Sequence, residues 1–136
     1  MTPPTAPLTA PPVVPRRRIR GASAVLLAMT ADGRIDWDGW RSHLERTVAA
    51  GLVPAVNMDT GFGPTLDEAT RAELLRLTRA AVDGEVVAGV HVDDEPGDGF
   101  DADALHRRVD AVAEAGATPI LFPSHGLAGL DDHGVV

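Results

Sequence analysis

Three clusters in this sequence carry the side chains with which chemistry is done. They are Asn57-Met58-Asp59-Thr60-Gly61-Phe62-Gly63-Pro64-Thr65, His91-Val92-Asp93-Asp94-Glu95 and Ser124-His125-Gly126. In the first, a polar, glycine-rich turn leads straight into a helix pattern. Its backbone N–H groups and the following helix end can hold a carboxylate or phosphate, with Asp59, Thr60 and Gly61 as the candidate substrate-binding residues. Gly61-x-Gly63 alone matches neither a dinucleotide fingerprint nor a P-loop, and Thr60 and Thr65 also serve as turn caps. In the second, a histidine with nearby carboxylates can take a divalent cation, with His125 or Asp59 converging on it. No fixed ligand spacing supports that, and the acidic run to Asp98 reads equally as a solvated turn, so no metal and no cofactor is expected. In the third, Ser124 and His125 are sequence neighbours, which does not make a nucleophile–base pair. His125 is the candidate general base on position alone.

Composition removes several chemistries. The 136 residues include no cysteine, no lysine and no tyrosine. Disulfides, thiolate ligands, a lysine Schiff base, a phosphate-binding lysine and a tyrosyl proton donor are therefore excluded within this polypeptide. Residues 1–20 carry four arginines and no acid, whereas residues 21–136 carry eight arginines against twenty Asp and Glu. So acidic a body argues against nucleic-acid binding, which draws most of its affinity from phosphate contacts. No run approaches the ~20 apolar residues of a membrane span.

The elements that must position these clusters follow a repeating unit. Gly51, Gly84 and Gly116 each follow a helical pattern and precede an apolar run, at spacings of 33 and 32 residues. Glycine just past a helix is the residue expected of a left-handed C-cap. The first helix is expected from about Asp36, with Trp37, Trp40, Leu44 and Val48 on one face. The second begins near Thr65 or Asp67, with Thr65 and Glu68 as a capping box, Leu74, Leu77 and Ala81 inward and Arg76 and Arg79 outward. The third spans about Asp101 to Ala115 on a stripe of Leu105, Val109 and Val112. The runs SAVLLAM (23–29), LVPAV (52–56), VVAGVHV (86–92) and PILF (119–122) read as strands buried on both faces. The order β-α-β-α-β-α-β with right-handed crossovers gives a parallel α/β sheet, and Thr30-Ala31-Asp32-Gly33 reads as a turn after the first strand. In such sheets ligands bind at the carboxyl ends of the strands, where all three clusters fall.

Residues 1–20, with six prolines in the first fifteen positions, read as a disordered Pro/Arg-rich leader. The alternative, a secretory signal made of Arg16–Arg20 and Ala22–Ala31, has too short an apolar stretch, so a cytoplasmic location is expected.

Residues 21–126 resemble the amino-terminal half of the dihydrodipicolinate synthase and N-acetylneuraminate lyase family. Asp32-Gly33-Arg34-Ile35-Asp36 is similar to that family's lead-in to its first helix. Asp59-Thr60-Gly61 followed by Thr65-Leu66 is similar to its Gly-Thr-Thr-Gly-Glu loop. Ala50-Gly51, Ala88-Gly89-Val90 and Ala115-Gly116-Ala117 match the approaches to strands two, three and four. The resemblance implies a partial (β/α)8 TIM barrel over residues 21–136, with about four parallel strands and three helices. It further implies a class I aldolase or lyase acting on a pyruvate-type 2-oxo acid through a Schiff base.

The departures are as specific as the matches. Asp59 stands where the family has its first loop threonine, and Phe62 where it has the glutamate. Of the threonines that bind the substrate carboxylate and relay a proton, only Thr60 carries over. The strand-four tyrosine has no counterpart; Ser124 or His125 occupies that neighbourhood. The Schiff-base lysine belongs to strand six, beyond this chain, so a truncated barrel is expected. Two other readings stand beside the lyase: a non-catalytic half-barrel, whose exposed edges favour homo-oligomerisation, and a small doubly wound binding domain.

Overall fold

The computed structural model describes residues 15–16 and 19–130. The leader expected over residues 1–20 falls largely outside the described residues, as does the end of the tail from 131 to 136. Four parallel strands form one sheet in the order β1-β2-β3-β4: Ala22–Ala24, Val53–Val56, Val87–Val90 and Thr118–Leu121. Helices α1 (Trp37–Ala49), α2 (Glu68–Ala81) and α3 (Ala102–Glu114) connect them, and a four-residue helix α4 (His125–Ala128) follows β4. Consecutive strands pair in sequence order without a switch point, which is the arrangement of a partial (β/α)8 barrel. The doubly wound alternative does not describe this topology, because its strand order must reverse at the first strand.

Local chemistry explains the helix bounds. Asp36, Asp67 and Asp101 each accept a hydrogen bond from a backbone N–H three residues on, at 2.9, 2.7 and 2.8 Å. Each satisfies one of the orphan donors of a helix amino end. The expected Thr65–Glu68 capping box is replaced by the Asp67 cap: Thr65 ends a 3₁₀ turn and Glu68 pairs with Arg108. Gly51 and Gly116 adopt the left-handed conformation, with φ of 74° and 77°. Gly84 does not: α2 ends at Val82 in extended conformation, and the Gly84 carbonyl accepts from Arg79 instead.

The core lies between sheet and helices, joining Val25, Leu27, Val56, Val86, Ala88 and Val90 with Trp40, Leu44, Leu74, Leu75 and Val112. On α1 the buried face is Trp40, Leu44 and Thr47; Trp37 and Val48 lie at its exposed margins. On α2 it is Arg71, Leu74, Leu75 and Thr78, with Leu77 half-buried and Ala81 exposed. The expected first strand, 23–29, is shortened to Ala22–Ala24. The chain after Leu27 turns back on itself: Asp36 N–H donates to the Ala28 carbonyl, Thr30 N–H to that of Arg34, and Gly33 takes a positive φ of 81°.

Candidate functional site

All three clusters lie at the carboxyl ends of strands, β2, β3 and β4 respectively, and the loops bind one another there. The chain leaves β2 through Asn57, which is buried with a left-handed φ of 55°. Asparagine is among the few side-chain-bearing residues that tolerate this region. Its backbone carbonyl is turned towards β3 and receives a hydrogen bond from Nε2 of His91 at 2.7 Å. Its amide Nδ2 donates to the Arg71 carbonyl at 3.0 Å, while Oδ1 is buried with no partner among the described residues.

The Asn57 carbonyl determines two glycines. A Cβ on Gly63 would stand 2.3 Å from that oxygen, and one on Gly89 2.1 Å. Neither distance is compatible with a carbon atom, so both positions require glycine for space.

His91 itself is buried, with its ring stacked on Phe122 at 4.6 Å between centroids and 19° between planes. A carbonyl oxygen accepts only, so Nε2 carries the proton. Burial pushes the imidazole pKa below its ordinary value of 6.5, an effect the bond to Asn57 partly opposes. The neutral ring therefore presents Nδ1 as a lone-pair acceptor. Nδ1 has no hydrogen-bond partner among the described residues, and it is not sealed from solvent.

Arg71 ties the three layers together. It is buried on α2, and one guanidinium nitrogen donates to the carbonyls of Gly63 (3.2 Å) and Leu66 (2.6 Å). The other reaches Asp93 Oδ2 at 2.5 Å, an oxygen that Arg108 also approaches at 3.4 Å. Asp94 instead holds the next loop, its two oxygens accepting the backbone N–H groups of His125 (2.9 Å) and Gly126 (2.7 Å). These bonds, the Gly126 one foremost, hold its carboxyl below the ordinary carboxylate range. Both carboxylates are thus engaged within the protein. Among the described residues, no three His, Asp or Glu side chains are grouped to hold a metal ion.

A cleft of about 530 Å³ opens between the ends of β3 and β4, lined by Pro64, His91, Asp93, Phe122, Ser124 and His125 among others. His125, the candidate base, is exposed at the start of α4 on this cleft, and Ser124 caps that helix by accepting from Leu127 N–H at 3.1 Å. Asp59, Thr60 and Gly61 form a 3₁₀ turn on the neighbouring loop and are not among the cleft's lining residues. Most backbone N–H groups from Thr60 to Leu66 are already bonded inside that loop, Thr60 N–H to Asp59 Oδ1 at 2.7 Å and those of Gly61, Phe62, Gly63, Thr65 and Leu66 to carbonyls of Met58, Asp59, Phe62 and Gly63. Asp59 thereby fills the position a ligand carboxylate would take on Thr60 N–H. Between Thr60 and Leu66 the donor left to a ligand is the exposed Thr60 hydroxyl, and just before it the Asp59 N–H has no partner among the described residues.

The sequence alone does not mark out Arg71 or Phe122, and it shows Asn57 only as the first residue of its cluster. Two of the three had a signal. Asn57 directly follows a strand and precedes a loop, the place for a left-handed residue. Arg71 falls on the inward stripe of α2, in step with Leu74, Leu75 and Thr78.

The order of strands and helices in this chain is shared with solved structures. A dihydrodipicolinate synthase from Bacillus clausii matches 75% of this chain at 22% identity with a TM-score of 0.62. A putative dihydrodipicolinate synthetase from Pseudomonas aeruginosa matches 78% at 21% identity with a TM-score of 0.64. The chain has the fold of about a third of a dihydrodipicolinate synthase structure. A third match, described as a monomeric dihydrodipicolinate synthase variant, covers 76% of the chain at 21% identity with a TM-score of 0.59. This chain spans only about a third of the length of those proteins, 33 to 36%. No family model and no curated protein matches the sequence.

Proposed function

We propose that this chain is a four-strand portion of a dihydrodipicolinate synthase-type barrel, related to the aldolases and lyases of pyruvate-like 2-oxo acids. In this reading it contributes ligand-binding loops rather than the complete active site. The observation that carries the reading is the placement of all three polar clusters at the carboxyl ends of strands, in a sheet whose fold is shared with those synthases. Barrel enzymes place their chemistry at that end.

Thr60 offers its hydroxyl to a substrate carboxylate, Asp59 and Gly61 hold the turn that presents it, and His125 exchanges a proton at the mouth of the cleft. The Schiff-base step needs a lysine side-chain amine that this lysine-free sequence does not supply, so the reading is of a truncated site. A cytoplasmic location accompanies this reading. Among the described residues no helix is long and apolar enough to cross a membrane.

Calorimetric titration with pyruvate tests the proposal. Weak binding, reduced about tenfold in Thr60→Val by loss of one charge-assisted hydrogen bond, is expected. Absence of pyruvate binding by the unmodified chain contradicts it.

One observation favours association as a second reading. Among the described residues nothing pairs with the outer edges of β1 and β4, and Leu26, Met29, Ile120 and Leu121 on and beside them are exposed. Open parallel edges flanked by apolar side chains favour pairing with further strands, from a second copy or another chain.

A further inference from the structure

The groove between α2 and α3 has a charge pattern opposite to that of the molecule. Each helix turns a stripe spaced by three and four residues towards it, and together they border a cleft of about 580 Å³. That volume suits a small-molecule site, and the floor is apolar, with Leu75, Val90 and Val112. Five of the eight arginines that follow residue 20 line this one cleft, against a single carboxylate, Glu68. The chain as a whole carries a net charge of −8.

Three of the five cations are already matched: Arg71 by Asp93, Arg76 by Glu73, and Arg108 by Glu68 and Asp93. Two are not. Arg79 donates to the Gly84 carbonyl, and Arg107 has no carboxylate partner among the described residues. Arg79 sits in the last turn of α2 and Arg107 in the amino-terminal half of α3. Nε of Arg79 lies 3.9 Å from the place of a Cβ on Gly116, just past the end of α3. Arg107 is eight residues upstream of Ala115, which is roughly 12 Å along a helix axis.

We propose that this groove binds an elongated organic dianion, one carboxylate on Arg107, the other on Arg79, and its apolar body across Leu75 and Val112. The two guanidiniums, neither matched by a carboxylate among the described residues, set the spacing of the charges, and the floor of Ala72, Leu75, Ala111 and Val112 between them rewards a hydrocarbon link rather than a hydrated one. The groove meets the carboxyl-end cleft at His91, the one residue that lines both, while Arg79, Arg107, Leu75 and Val112 line the groove alone, so the proposal does not depend on the 2-oxo acid reading.

Calorimetry on the full chain with decanedioate, decanoate and butanedioate tests this. Decanedioate is expected to bind. Decanoate, with one carboxylate, and butanedioate, too short to span the groove, are each expected to bind about tenfold more weakly. Arg79→Gln and Arg107→Gln should each bring decanedioate to the level of decanoate; the urea midpoint should be unchanged in Arg107→Gln, which is exposed, and only slightly lowered in Arg79→Gln, which gives up its bond to the Gly84 carbonyl. No binding of decanedioate at millimolar concentration overturns the proposal. So do equal affinities for the three acids, or an affinity for decanedioate that both variants leave intact.

Discussion

His91 donates its Nε2 proton to the backbone carbonyl of Asn57 across a 2.7 Å hydrogen bond that joins residues 34 apart in sequence. That bond fixes the tautomer of the imidazole and the turn by which the chain leaves β2. It also sets the space available to Gly63 and Gly89. The carboxyl end of the sheet is organised around this one carbonyl.

Gly89→Ala and Gly63→Ala should destabilise the protein severely. The added carbon would stand within 2.3 Å of a backbone oxygen that cannot retreat without breaking the His91 bond. Overpacking of this kind costs about 3 kcal/mol or more. Gly51 provides the control: it has a φ of 74° with open space around it, so Gly51→Ala carries only the left-handed backbone penalty, about 1 kcal/mol. Urea midpoints of the three variants measure the ranking, and a smaller loss at Gly89 than at Gly51 contradicts the packing account.

Stability should fall as the solution is acidified, in two separable steps. The folded pKa of His91 lies below 6.5, so the unfolded chain takes up a proton first. The stabilisation is complete above about pH 6.5 and is lost as pH falls from there through the folded pKa. Asp94 is also depressed, from 3.8, so its contribution is present at neutral pH and is lost only as pH falls below about 4. His91→Phe, which keeps a ring against Phe122, should remove the first step and leave the second. Urea midpoints measured from pH 7.5 to 3 follow both.

Asp94 fastens the start of α4 to the end of β3. Asp94→Ala frees the N–H groups of His125 and Gly126, whose hydrogen exchange should accelerate. Protection of Val87 and Val90, in the middle of the sheet, should hardly change. Amide exchange followed by NMR separates this local loosening from a global one.

The fold was legible because each element carried its own punctuation. Asp36 and Asp101 cap helices where the apolar periodicity begins, Gly51 and Gly116 close them in left-handed conformation, and the runs over β2, β3 and β4 form strands, whereas most of the first run, 25–29, does not. The three polar clusters were legible for the same reason, since they directly follow those runs. What escaped the sequence depends on distances between elements. That Gly89 is glycine because of Asn57, or that Arg71 spans from α2 to Asp93, follows from the register of β2 against β3, which no local pattern encodes. The Thr60 loop was legible as a loop, but not as one whose N–H groups are mostly filled.

Reduction with borohydride in the presence of labelled pyruvate should leave every internal residue of the chain unlabelled, because the sequence has no lysine. The only amine available is the terminal one. Peptide mapping reads the outcome, and label on an internal residue contradicts the assignment of the Schiff-base step to a group outside this sequence.

Self-association follows from the open edges of β1 and β4. Sedimentation at micromolar concentration should show species larger than 14.2 kDa. Leu121→Glu, at an exposed position on β4, should shift the distribution towards monomer. A strictly monomeric profile for the unmodified chain contradicts this second reading without touching the first.

A ¹H–¹⁵N correlation spectrum recorded during titration with pyruvate shows directly whether the carboxyl-end loops bind a 2-oxo acid. Shifts are expected to be confined to the carboxyl ends of β2, β3 and β4, at Thr60, Gly61, His91, Ser124 and His125, and to saturate with one affinity. Shifts centred anywhere else, or none at millimolar pyruvate, would contradict the proposed function.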